Sequence, residues 1–109
     1  MPKGEYLAEL EIYVMLAVLR LGEDAYGVTI RREIEDRAGR SVSIGAVYAT
    51  LGRLEEKGMV GFRASTPEPV QGGRSRKLVS LTPAGRAALD HSAAMLRRMM
   101  QGTPVAQGG

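Results

Sequence analysis

The stretch from Ser43 to Gly58 constrains this chain most, because it reads as one helix with a marked start, a marked stop and two unlike faces. Ser43 suits the N-cap, where its hydroxyl accepts from an orphan amide of the first turn. Gly58 stands where a left-handed residue ends a helix. Val47, Leu51 and Leu54, with Ile44 one turn earlier, form a core-facing stripe at helical spacing. Opposite them lie Gly45, Ala46, Ala49, Gly52 and Arg53, flanked by Tyr48 and Thr50. An exposed helix normally carries long charged residues, and each interior glycine costs about 1 kcal/mol relative to alanine. Small residues around one arginine therefore predict a backbone that approaches another surface closely. Two surfaces fit: more protein, or the DNA major groove, which is wide enough to admit a helix.

Two helices are predicted upstream. Leu7 to Leu21 carries Leu7, Leu10, Val14, Ala17, Val18 and Leu21 on one stripe, while Ile12, Met15, Leu16 and Leu19 make it apolar nearly all round. Such a helix is covered on more than one side, and in a small domain a second subunit supplies the extra cover. Asp24 is expected to cap a second helix that runs through Ala38 and closes at Gly39, with Tyr26, Ile30 and Ile34 as its apolar stripe. Its remaining charges, from Arg31 to Arg37, are of mixed sign and suit a solvated face. Gly27 suits close helix packing. With the organising helix, this makes a helix, a short turn and a helix, the arrangement in which the first supports the second.

Downstream, residues 59–64 and 77–81 are short, apolar and partly β-branched, as antiparallel strands are. Ser65 to Arg76 is rich in Pro, Gly and Ser and reads as a loop. At its far end Arg74, Arg76 and Lys77 concentrate positive charge beside two glycines, which suits phosphate contact or minor-groove insertion. A helix of the Ser43–Gly58 kind followed by a basic hairpin is the winged helix-turn-helix plan. Thr82-Pro83 then opens a last helix to about Gln101, with Thr as cap and Pro at the first helical position. Leu89, Ala93, Leu96 and Met100 form a heptad-like stripe, with Ala88, Met95 and Met99 beside it.

At 109 residues the chain makes one small core, and dimerisation is a common source of added stability at that size. We divide it into a winged helix-turn-helix over 1–81, a dimerisation helix over 82–101 and a flexible tail over 102–109. The fold class is mainly α with a small two-stranded β wing. The formal charge of +3 permits a polyanionic partner. No cysteine is present, which excludes disulfides and thiolate metal sites and suits a reducing cytoplasm. The longest apolar run, Ile12 to Leu19, is too short to span a bilayer.

The residues resemble the PadR family of transcriptional regulators across roughly Leu7 to Leu96. Three pieces carry the resemblance. Ala25-Tyr26-Gly27 is similar to the family's opening of the second helix, and Gly45 to Gly58 resembles its recognition-helix signature. Gly72 to Lys77, with Leu81-Thr82-Pro83-Ala84-Gly85, resembles the wing and the start of the dimerisation helix. Ala49 stands where the family commonly has proline, as does Ser75, and Leu78 and Val79 replace frequent tyrosines. The resemblance implies a homodimeric repressor on a palindromic promoter site, often released by a small molecule. By position it implies that Ser43, Gly45, Tyr48, Thr50 and Arg53 face DNA, with Arg74, Arg76 and Lys77 as wing contacts.

Dimer contacts are expected at Leu10, Val14, Leu89, Leu96, Met99 and Met100. Met15, Met95 and Met99 are candidates to line a pocket for a small hydrophobic effector, although the chain lacks the tryptophan found at the dimer centre of family members with flat aromatic pockets. No catalytic residue, metal site or cofactor is expected. His91 is the only histidine and reads as a surface residue, and Glu55-Glu56 point in different directions as adjacent helical residues do. The competing reading is a winged-helix module for protein–protein contact that docks through Gly45, Ala49 and Gly52. Its wing would be neutral or acidic, and this one is basic.

Overall fold

The structure, a computed structural model, describes residues 7–64 and 76–105. In chain order it comprises α1 (Glu9–Leu21), one turn of 3-10 helix (Gly22–Asp24), α2 (Gly27–Ala38), α3 (Ile44–Glu56), β1 (Val60–Ala64), β2 (Lys77–Leu81) and α4 (Pro83–Met100). This is a mainly helical chain with a two-stranded antiparallel wing, as predicted.

The core sits where α1, α2 and α3 meet over β2. Val14, Met15, Ile30, Val47, Leu51 and Leu54 are each at most 1% exposed. Burying such aliphatic side chains contributes roughly 1.5–3 kcal/mol each. Val42 in the turn before α3 and Val79 on β2 close the cluster.

The elements start and stop for local reasons. The Ser43 hydroxyl accepts from the Ala46 amide at 3.0 Å, and Gly58 takes φ of 76°, so both predicted ends of the organising helix hold. At the start of α1, Glu11 reaches back to accept from the Ala8 amide at 2.7 Å. The second helix differs from expectation. Asp24 belongs to the 3-10 turn, and α2 begins at Gly27 with Tyr26 in the cap position. Thr29 rather than Asp24 organises this corner: its hydroxyl accepts from the Tyr26 amide at 3.0 Å and donates to the Asp24 carbonyl at 2.6 Å. Gly39 closes α2 in the left-handed conformation, as expected.

The wing strands pair from Val60 with Leu81 to Ala64 with Lys77. The Val79 amide also donates to the Ala25 carbonyl at 2.8 Å, which ties the wing to the start of the α2 corner. Thr82 then fastens α4 to the end of α3. Its amide donates to Met59 O at 3.0 Å, its hydroxyl donates to Gly58 O at 2.6 Å, and the same hydroxyl accepts from the Gly85 amide at 3.0 Å. Gly85 is buried at this crossing, and a Cβ there would run into the Met59 carbonyl.

Only Gly85 and Leu89 of α4 are buried. Eighteen residues make a helix about 27 Å long, so most of it extends past the core. Leu96 is 54% exposed and Met99 76%. The second surface of α1 is likewise uncovered, with Leu16 at 46% and Leu19 at 43%. Among the described residues no helix is long and apolar enough to cross a membrane.

Candidate nucleic-acid interface

One face of α3 is open to solvent and lined by small residues. Gly45, Tyr48, Ala49, Gly52 and Arg53 follow the i, i+3, i+4, i+7, i+8 rule and are all exposed, with Ser43 exposed at the cap. A Cβ built on Gly52 meets nothing within 4 Å, and one on Gly45 meets only Ser43 Oγ at 3.9 Å. No neighbour among the described residues requires either position to be glycine.

Tyr48 does have an internal neighbour. Its ring lies over Gly27, where a Cβ would come within 2.5 Å of Tyr48 Cζ. The close packing predicted for Gly27 is therefore realised against α3, and the tyrosine, half exposed at 52%, is steered along the helix face. Beside it the Arg76 guanidinium stacks 4.9 Å from the Tyr26 ring centroid. Lys77 sits 4.6 Å over the Phe62 ring, its diagonal neighbour on the wing. The Arg76 contact brings the root of the basic wing beside the α2 corner, and the Lys77 contact adds order within the wing. Arg63, exposed on β1, is a further cation there. Arg74 lies outside the described residues.

Thr50 corrects the expectation. It is 0% exposed, so it does not face DNA. Val47, Thr50, Leu51 and Leu54 form the i, i+3, i+4, i+7 stripe, and Ile44, assigned to that stripe from sequence, is 37% exposed instead. Thr50 hydroxyl donates to the Ala46 carbonyl at 2.8 Å and accepts from Arg53 Nη2 at 3.1 Å.

The expected dimer and effector residues also divide. Val14 (0% exposed) and Leu89 (4%) are core residues, because α1 and the first turns of α4 spend those positions on their own chain. Leu10 is half-buried against the core. Leu96 and Met99 remain exposed, and Met100 is half-buried. Met15, at 0%, is sealed in the core, while Met99 is exposed and Met95 half-buried. The three methionines therefore line no common cavity within one chain. A concave apolar surface lies instead between α1 and α2, about 540 Å³ in volume, with Tyr13, Leu16, Leu19 and Ile34 among its walls.

One element of the site was missed from sequence. Glu11, with its side chain 3% exposed, receives Lys57 Nζ at 2.8 Å and 3.0 Å on its two carboxylate oxygens. This ion pair joins the start of α1 to the last turn of α3. The available signal was a carboxylate, Glu11, set between Leu10 and Ile12 on a helix apolar nearly all round.

A sequence model described as the transcriptional regulator PadR-like family matches residues 15–91. The chain belongs to the PadR-like family. Its match to the transcriptional regulator Rv3488 of Mycobacterium tuberculosis is 39% identical over 66 residues, covering 61% of this chain and 57% of that protein. The PadR family transcriptional regulator of Eggerthella lenta superposes with a TM-score of 0.65 at 26% identity, over 86% of this chain and 81% of the other. Bacillus subtilis PadR, solved in complex with operator DNA, shares the fold with a TM-score of 0.60 at 21% identity, over 93% of this chain and 53% of that one. Membership in the PadR-like family places the chain among regulators rather than enzymes.

Proposed function

We propose that this PadR-like chain regulates transcription by binding DNA, laying α3 in the major groove and setting the basic wing on the flanking phosphates. The observation that carries this reading is the exposed stripe of Gly45, Ala49 and Gly52, whose glycines no packing among the described residues requires, with Arg53 at its end. A helix backbone enters the groove closely only where side chains are small, and arginine is the commonest direct reader of guanine. Arg76 and Lys77 at the wing root supply charge of the sign that phosphates attract. Bacillus subtilis PadR, which shares the fold, was solved in complex with operator DNA, and this supports DNA as the partner.

The working form is a homodimer. Leu16 and Leu19 on α1 and Leu96 and Met99 on α4 leave apolar surface that a second copy covers. A two-fold dimer places two copies of α3 on a palindromic site, with half-sites about one helical turn apart. Occupying such a site in a promoter represses it, and the work is done in the cytoplasm.

The test is selection from a random duplex library, followed by titration of the selected site across salt concentrations. The expected result is a palindrome bound by one dimer, with log affinity falling linearly with log salt at a slope of about −0.9 per neutralised phosphate. Equal binding to scrambled duplex would overturn the reading and leave the small-faced helix to a protein partner.

A further inference from the structure

We infer that buried Thr50 is a positioning residue for DNA recognition, holding the Arg53 guanidinium in one pose on the exposed face of α3. This deepens the DNA-binding reading above and rests on it.

Arg53 is held differently from the arginines that pair with carboxylates. Arg20, Arg31, Arg37, Arg40 and Arg86 each lie within ion-pair distance of a carboxylate. Among the described residues Arg53 has no such partner, and its Nη2 donates instead to the neutral hydroxyl of Thr50 at 3.1 Å. A carboxylate would orient the guanidinium and also cancel its charge. A hydroxyl orients it and leaves the charge in place for an anionic or electron-rich target.

The hydroxyl is itself fixed. It donates to the Ala46 carbonyl at 2.8 Å, so its lone pairs remain for Arg53 and the three groups form a relay: guanidinium to hydroxyl to carbonyl. Thr50 is 0% exposed and β-branched, which restricts χ1 and anchors the relay to the rigid side of the helix. One of five guanidinium N–H groups is thereby engaged, and four remain, enough for a bidentate grip on guanine O6 and N7.

The alternative role for Thr50 is ordinary core packing. Against it stands the stripe of Val47, Leu51 and Leu54, where a valine at position 50 would avoid the cost of burying a hydroxyl. Back-bonding of threonine to the i−4 carbonyl slightly destabilises a helix. What the hydroxyl adds beyond its own back-bond is the acceptor for Arg53.

The 109-residue chain is tested as wild type, Thr50→Val, Thr50→Ser, Arg53→Ala and the double variant Thr50→Val/Arg53→Ala. Thr50→Val is nearly isosteric, and the Ala46 carbonyl keeps its amide partner within the helix, so the melting temperature is expected to stay level or rise. Affinity for the selected duplex is expected to fall about 2- to 10-fold, the size of restoring freedom to one long side chain. Thr50→Ser keeps the hydroxyl and should bind within about twofold of wild type. In the Arg53→Ala background, Thr50→Val should have no further effect, because the side chain it positions is gone. In the free protein, nitrogen NMR of the Arg53 guanidinium should show restricted rotation in wild type and Thr50→Ser, and averaging in Thr50→Val.

Specific wild-type binding with full affinity in Thr50→Val would overturn the positioning role alone. So would an equal loss from Thr50→Val whether Arg53 is intact or replaced by alanine, which is the signature of a packing effect. A wild-type chain that selects no sequence, with Arg53 still restricted by NMR, would overturn the DNA reading itself and this role with it.

Discussion

Glycine at position 52 shows how a residue can be costly to its own helix and useful outside it. It is exposed in the body of α3, nothing lies within 4 Å of where its Cβ would be, and glycine there costs about 1 kcal/mol relative to alanine. Gly52→Ala is therefore expected to raise stability by up to about 1 kcal/mol in urea unfolding while weakening affinity for the selected duplex. Stabilisation with unchanged affinity would detach Gly52 from the interface. Gly85 is the opposite case. It is buried where α4 crosses the end of α3, and a Cβ would meet the Met59 backbone, which has no rotamer to yield. Gly85→Ala should lower stability by about 1–3 kcal/mol, the usual range for overpacking, and denaturant midpoints would check this. Two glycines of similar appearance in sequence thus have opposite expected signs, set only by what surrounds them.

At the scale of elements, the placement of α3 depends on both of its ends. Its start is local, through Ser43 and the Ala46 amide. Its end is tied at long range, by Lys57 to Glu11 on α1 and through Thr82, which accepts from the Gly85 amide while donating to the Gly58 carbonyl. Glu11→Ala removes a carboxylate partner of Lys57 and the acceptor of the Ala8 amide together. The expected loss is about 2 kcal/mol, below the roughly 3–5 kcal/mol of a fully buried pair, because the Lys57 side chain is 26% exposed and turns to water. Thermal unfolding of that variant measures the loss, and an unchanged midpoint would mean the pair only decorates the surface of the α1–α3 contact. The wing depends on a similar mixture: the β1–β2 ladder is regular, yet its docking rests on the Val79–Ala25 hydrogen bond and on Arg76 over Tyr26.

For the whole molecule, the described chain leaves two apolar surfaces without cover, on α1 and along the far half of α4. Leu96→Glu and Met99→Glu put charge on residues that are 54% and 76% exposed in the single chain, so neither substitution disturbs the core. If a second copy covers them, sedimentation should shift from dimer toward monomer with helical content retained, and palindrome binding should weaken far more than binding to a half-site. Dimer sedimentation unchanged in both variants would place the subunit contact elsewhere. The lone histidine, His91, is exposed on α4, as expected from its helix position.

Much of this protein was legible in the order of its residues. The ends of α3 at Ser43 and Gly58, the start of α4 at Thr82-Pro83, the strands of the wing and the small-residue face all follow from local capping, periodicity and glycine chemistry, which need no distant partner. So did membership in the PadR-like family, since its motifs lie in contiguous stretches. What required tertiary structure was the allocation of each apolar or polar side chain between core, groove and open surface. Val14, Met15 and Leu89 are indistinguishable in periodicity from contacts to a second copy, and only the packing of α1 and α4 on their own chain consigned them to the core. Thr50 has a polar side chain that suggests an exposed site, yet its place between Val47 and Leu54 buries it and leaves Arg53 to face outward. Glu11 and Lys57 lie 46 positions apart and meet only because α1 and α3 cross. Local rules determine where an element begins and ends; which face it keeps is decided by whatever lies across from it.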